Sequence, residues 1–164
     1  MLIGGLQKTS LLDFPEKISA IVFTAGCNFR CGYCHNPELI KQVALVKDDI
    51  FAFLQTRIGK LDGVVITGGE PCLQKDLPEF IKQIKSMGFA VKLDTNGSFP
   101  EMLETVLPDV DYVAMDIKAP LEKYSEIVNV PVNTDNILKS IRMLQNSGID
   151  HEFRTTVLEL SLIH

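Results

Sequence analysis

The stretch ISAIVFTAGCNFRCGYCHN, residues 18–36, runs from an apolar segment directly into three cysteines, Cys27, Cys31 and Cys34. Its first part, ISAIVFT (18–24), is rich in β-branched and aromatic residues and reads as a strand. Its second part is a polar loop with thiols spaced C-x3-C-x2-C. Parallel βα folds place reactive loops at the carboxyl ends of their strands, where the loops converge on one face.

The rest of the chain continues that pattern. DDIFAFLQTRIGK puts Ile50, Leu54 and Ile58 on one helical face, and GVVIT (63–67) follows as a second strand. The next helix has Asp76 as its N-cap, Pro78 in the first turn, an apolar stripe of Leu77, Phe80 or Ile81, Ile84 and Met87, and Gly88 as its stop. Strand FAVKLD (89–94), a short helix around EMLETVL and strand DYVAMDIK (111–118) come next. A helix from about Thr134 to Ser147, with Ile137, Ile141 and Leu144 as its stripe, ends at Gly148. HEFRTTV (151–157) is a fifth strand. The reading is an α/β fold with one parallel sheet and a single domain, without repeats or low-complexity linkers.

Composition sets the outer limits. The chain has 164 residues, 46% hydrophobic and 23% charged, which is enough for an ordinary core. Its apolar runs fall far short of the roughly 18 residues that span a bilayer, and the N-terminus lacks the pattern of a signal peptide. A cytoplasmic address and no membrane association follow as expectations. The net charge of −5 argues against nucleic acid as a partner. Four cysteines in such a chain point to metal or redox chemistry more than to a disulfide scaffold.

The polar features gather at strand ends. They are the cysteine loop, Thr67-Gly68-Gly69-Glu70, Asp94-Thr95-Asn96-Gly97, and Asp116 with Lys118; Arg154 and Thr156 lie two apart on the fifth strand. Each has a plain structural reading as a turn or an ion pair. Cys72 reads as a compact buried residue, and His151 and His164 as structural or surface residues. Convergence of several loops on one rim favours a site.

A structural zinc wants four ligands, and beyond Cys27, Cys31 and Cys34 only Cys72 or His35 is at hand. A four-iron cluster held by three thiolates leaves one iron open for substrate, and the spacing departs from the ferredoxin run of simple electron carriers.

CNFRCGYC resembles the cluster motif of the radical S-adenosylmethionine superfamily. With GGLQKTSLLDFPEKISAIVFTAGCNFRCGYCHNPELI, VVITGGEP, KLDTNG, AMDIKAP and FRTTV, nearly the whole chain resembles the activating-enzyme branch, closest to the anaerobic ribonucleoside-triphosphate reductase activating proteins and related to the pyruvate formate-lyase activating enzymes. The resemblance implies that Cys27, Cys31 and Cys34 hold a [4Fe–4S] cluster whose fourth iron is chelated by the amino and carboxylate groups of S-adenosylmethionine. It implies Gly68, Gly69 and Glu70 around the amino group, the backbone of Tyr33 at the adenine, Asp116 and Lys118 at the ribose and carboxylate region, and Arg154 at the carboxylate. Asp94 and Thr95, beside Asn96, match positions that in some relatives help hold a monovalent cation.

The implied reaction is one-electron cleavage of the sulfonium to methionine and a 5′-deoxyadenosyl radical, which takes a hydrogen atom from a backbone glycine of a glycyl-radical enzyme. Anaerobic ribonucleotide reductase is the expected partner, and a one-electron donor such as flavodoxin is implied. The family core is a partial barrel of six βα units. Five strands are legible here, so the expectation is a barrel cut short after the fifth strand, with VLELSLIH leaving it and the chain a fragment or a truncated product. A radical reaction on a small molecule, and a non-enzymatic zinc or iron–sulfur module, are the competing readings.

Overall fold

The computed structural model describes residues 1–41 and 49–157. Six strands form one sheet in chain order: β1 (Ile3–Ser10), β2 (Ser19–Thr24), β3 (Gly63–Gly68), β4 (Ala90–Thr95), β5 (Tyr112–Asp116) and β6 (Asp150–Arg154). β2 to β6 are parallel, each to the next, and β1 runs antiparallel to β2. The five parallel strands are those expected from the apolar runs. The end of the chain expected to leave the sheet, from residue 158 onward, lies outside the described residues.

β1 is a strand that periodicity does not announce. Its segment IGGLQKTS has no alternation, and its pairing with β2 is interrupted by irregularities between Ile3 and Gly5 and between Gln7 and Ser10. Two glycines suit this place because the strand crosses close to bulky neighbours. A Cβ on Gly5 would stand 3.3 Å from the Phe23 ring.

The connections carry helices α1 (Ile50–Gln55), α2 (Leu77–Ser86), α3 (Pro100–Val106), α4 (Tyr124–Ile127) and α5 (Thr134–Ser147). Strand side chains alternate between two faces. On one face Val22, Ile66, Leu93 and Met115 share a core with Leu54 of α1, Ile81 and Ile84 of α2, Leu103 of α3, and Ile137 and Leu144 of α5. The opposite face has a small apolar cluster of Phe14, Ile21 and Val65. Along one register row Ile21 aligns with Val65, Lys92, Tyr112 and Asp150. This face therefore turns from apolar to charged on passing from β2 to β6.

Helix boundaries follow local chemistry. Asp49 caps α1, accepting from the Phe51 and Ala52 N–H groups, and Gly148 ends α5 at φ 73°. Gly88 follows α2 at φ 89°. Ile58, expected on the buried stripe of α1, is exposed because the helix ends at Gln55 before reaching it. Asp76 stands at the N-cap position of α2 without a side-chain cap bond, its carboxylate holding the terminal ammonium of Met1 instead. β5 ends at Asp116 and β6 at Arg154, so Lys118 and Thr156 lie in loops past the strands that were expected to carry them. No helix among the described residues is long and apolar enough to cross a membrane.

Candidate active site

The loop leaving β2 is fixed at several points. Gly26 N–H donates to Leu39 O at 2.7 Å, Cys27 N–H to Ile40 O at 3.2 Å and Arg30 N–H to Val128 O at 2.8 Å. Arg30 closes back on its own loop, its Nη1 donating to Cys27 O at 2.7 Å. Within the loop Cys34 N–H donates to Cys31 O at 3.2 Å, a turn that ties the second and third cysteines together. Phe29 N–H donates to Cys27 Sγ at 3.4 Å, a bond that favours sulfur carrying negative charge.

The loop leaving β3 lies against the cysteine loop with no room between them. Gly69 N–H donates to Thr24 O at 2.9 Å, and Glu70 N–H to Gly26 O at 2.8 Å. A Cβ on Gly69 would stand 2.1 Å from Gly26 O, and Gly68 has φ +111° with the Thr24 backbone at 2.5 Å from its would-be Cβ. Both glycines are thus required by close backbone approach.

Glu70 is fully buried. Its Oε1 accepts from Cys72 N–H at 2.9 Å and from the Thr95 hydroxyl at 2.7 Å, and its Oε2 accepts from Asn96 N–H at 2.7 Å. Burial raises the Glu70 carboxyl above its ordinary range, partly offset by those donors. A carboxylate oxygen has two lone pairs, so the single Asn96 N–H does not fill Oε2. Asn96 continues the network: its Nδ2 donates to Asn28 Oδ1 at 3.0 Å, and Asn28 Nδ2 donates to Ser98 Oγ at 2.9 Å. Asn28 thereby joins the cysteine loop to the loop after β4, a role that no motif singled out.

On the charged face Lys118 Nζ stands 2.8 Å from Asp116 Oδ2, and Arg154 Nε 2.9 Å from Asp116 Oδ1. Arg154 Nη2 reaches Asp94 Oδ2 at 3.2 Å. The two neighbouring carboxylates raise the Arg154 guanidinium against the opposing effect of burial. The ion-pair reading of Asp116 and Lys118 is therefore realised, extended by one arginine that spans β4 and β5 from β6.

One cavity of about 380 Å³ is lined by Cys27, Cys31, Tyr33 and Cys34 from the first loop, by Gly68, Gly69 and Glu70 from the second, by Asp94, Thr95 and Asn96 from the third, and by Asp116, Lys118 and Arg154. Every site residue expected from the chain meets there. Cys72, in contrast, is buried in the core, as expected. Burial pushes the Cys27 thiol up to about 11 and raises Cys31 as well, so both are thiols until a positive centre binds them. The Tyr33 phenol is raised by burial and then by negative charge on the Cys31 sulfur beside it.

These donors fit a [4Fe–4S] cluster better than a single ion. Among the described residues no three His, Cys, Asp or Glu side chains are posed to hold one metal ion. A cluster does not require that, because each thiolate meets a different iron. Three thiols on one cavity wall, an N–H aimed at one sulfur and open volume beside them answer its needs.

The comparisons agree with this geometry. The model of the Radical SAM superfamily matches residues 21–161. A protein of Methanocaldococcus jannaschii named for glycyl-radical enzyme activation is 37% identical, over 94% of this chain and 68% of its own length. The pyruvate formate-lyase-activating enzyme of Clostridium pasteurianum is 35% identical, over 71% of this chain and 52% of its own length. A solved structure of TYW1 superposes with a TM-score of 0.61 at 18% identity, covering 87% of this chain and 56% of that one, a likeness of fold alone. The chain thus spans about two thirds of the first relative and about half of the second. On the family match and the archaeal relative together, the chain belongs to the radical SAM superfamily, in the branch of the glycyl-radical-enzyme activating enzymes.

Proposed function

We propose that this chain carries the catalytic cavity of a glycyl-radical activating enzyme. Cys27, Cys31 and Cys34 would hold the [4Fe–4S] cluster, with S-adenosylmethionine beside it. When bound, this pair supplies one-electron cleavage of a sulfonium C–S bond and thus a carbon-centred acceptor for a hydrogen atom. The protein residues bind and orient. Gly68, Gly69 and Glu70 would line the cofactor's amino group, with the buried Glu70 carboxylate fixing that wall. Arg154 would meet the carboxylate with its guanidinium, and Asp116 and Lys118 would hold the ribose and carboxylate region. The Tyr33 backbone would line the adenine.

The observation that carries this reading is the meeting of all these residues, from five successive strand ends, on one cavity. The partner in this proposal is a glycyl-radical enzyme, with anaerobic ribonucleoside-triphosphate reductase first among them, and the donor a flavodoxin-type protein in a reducing cytoplasm. The glycine-bearing loop of the partner must open to reach the cavity.

The test is anaerobic reconstitution with iron and sulfide, followed by dithionite, S-adenosylmethionine and the candidate reductase. Expected are 5′-deoxyadenosine and an EPR doublet on the partner, both lost in Cys31→Ala. Zinc without labile sulfide in the native protein, or equal product from Cys31→Ala, defeats the reading.

A further inference from the structure

Lys92, on β4, is a lysine with 2% of its surface exposed, a burial that lysines accept only when paired. Its ammonium stands 2.8 Å from Asp94 Oδ1, 4.0 Å from Glu152 Oε1 and 5.8 Å from the Tyr112 ring centroid. The other oxygen of Asp94 faces Arg154 Nη2 at 3.2 Å. Each oxygen of this carboxylate thus already meets a fixed cation. Thr95 is equally committed, its hydroxyl donating to Glu70 Oε1 at 2.7 Å and accepting from Gly97 N–H at 3.1 Å.

Asp94 and Thr95 are the residues that the resemblance assigns to a monovalent cation, and their donors do not fit one. A metal ion on Asp94 would have to share each carboxylate oxygen with a cation that already faces it, Lys92 on one side and Arg154 on the other. Within the ion-pair network itself the charges balance without it. Lys92, Arg154 and Lys118 offset Asp94, Asp116 and Glu152 through the ion pairs that join them. An added cation at Asp94 would find no unpaired carboxylate in this network and would stand against two cations already in place.

We propose that Lys92 is a tethered cation that holds Asp94 in place of a metal ion, so that the cofactor cavity of this chain works without monovalent metal ions. Lys92 is a positioning residue. It fixes Asp94 from one side, Asp94 fixes Arg154, and Arg154 Nε reaches Asp116 at 2.9 Å. The proposal rests on the role given above to the cavity.

The test uses cluster-loaded protein in buffers whose sole cation is sodium, potassium or tetramethylammonium. Calorimetric affinity for S-adenosylmethionine in wild type is expected to be the same in all three. Lys92→Met leaves Asp94 Oδ1 open beside the space of a lost ammonium, so it is expected to bind roughly tenfold more weakly in tetramethylammonium, with sodium or potassium restoring affinity. Lys92→Arg, which keeps the charge, is expected to keep the wild-type indifference to the choice of cation. Sodium NMR linewidth without cofactor is expected to broaden with Lys92→Met alone. A wild type that needs sodium or potassium to bind overturns the proposal, as does a folded Lys92→Met with no response in either measurement. If Lys92→Met does not fold by circular dichroism, Lys92→Gln and the wild-type salt series decide. Wild type that binds no cofactor in any salt defeats the role of the cavity instead, and the sodium linewidths still decide on Lys92.

Discussion

The Thr95 hydroxyl, at the end of β4, donates to Glu70 Oε1, in the loop after β3, at 2.7 Å inside a fully buried pocket. The same carboxylate takes the N–H groups of Cys72 and Asn96. One acid therefore locks two loops of the rim into a fixed relation, and the cysteine loop is bonded to both. Glu70→Gln keeps an oxygen for Cys72 and Thr95 but turns an amide N–H₂ against the Asn96 N–H. A buried donor left without an acceptor costs about 1–3 kcal/mol, and urea unfolding of the metal-free protein is expected to show that loss.

A pH dependence accompanies it. Burial raises the folded Glu70 carboxyl above its ordinary 4.5. The unfolded chain therefore releases this proton first, and stability is fully present below that ordinary value and declines as pH rises through the raised folded value. The stability of metal-free wild type is expected to fall across that window. The Glu70→Gln profile is expected to lack this component, and a parallel decline in both proteins would remove Glu70 as its source.

The rim was legible because its parts use residue types that short segments show directly: glycine doublets, Asx turns and charges at the ends of apolar runs. α5 is legible for the same reason, with Asn133 accepting from Asp135 N–H at one end and Gly148 in the left-handed region at the other. β1 is not legible, since its residues are held by pairing to β2 and by what Gly4 and Gly5 allow to come near, and neither shows as a period. Lys92 was visible as a charge within FAVKLD. That Asp94 and Glu152 both face it depends on β6 lying two strands away, which is a matter of tertiary register.

Gly69→Ala puts a methyl group against Gly26 O, with backbone on both sides and nothing that can rotate away. The cysteine loop must shift, and cluster loading is expected to fall well below wild type in iron and sulfide analysis. Gly88→Ala is the control. Its φ of +89° is itself strained for alanine, unlike that of Gly69, but nothing lies within 4 Å of an added methyl. It is expected to lose about 1 kcal/mol of stability and to keep a full complement of iron.

Cys72 separates burial from ligation among the four cysteines. It is 3% exposed in the core, whereas Cys27, Cys31 and Cys34 are partly exposed on the cavity. Cys72→Ala is expected to lose about 1 kcal/mol through the small void it leaves, with wild-type iron content. Loss of the cluster in this variant alone among well-folded ones would make Cys72 a ligand after all.

Arg154 is the joint of the charged face, its Nε on Asp116 and its Nη2 on Asp94. A lysine at this place has one ammonium and cannot meet both carboxylates with fixed geometry. The Arg154 side chain is 38% exposed, so solvent screening limits the stability lost in Arg154→Lys to about 0–1 kcal/mol. Cofactor orientation is more sensitive, because the guanidinium edge that should meet the carboxylate is aimed by those two bonds. Arg154→Lys is therefore expected to keep its iron and its melting temperature within a few degrees while S-adenosylmethionine binding weakens roughly tenfold. Affinity unchanged from wild type would mean that the Arg154 bridge serves only to hold β6 onto β5.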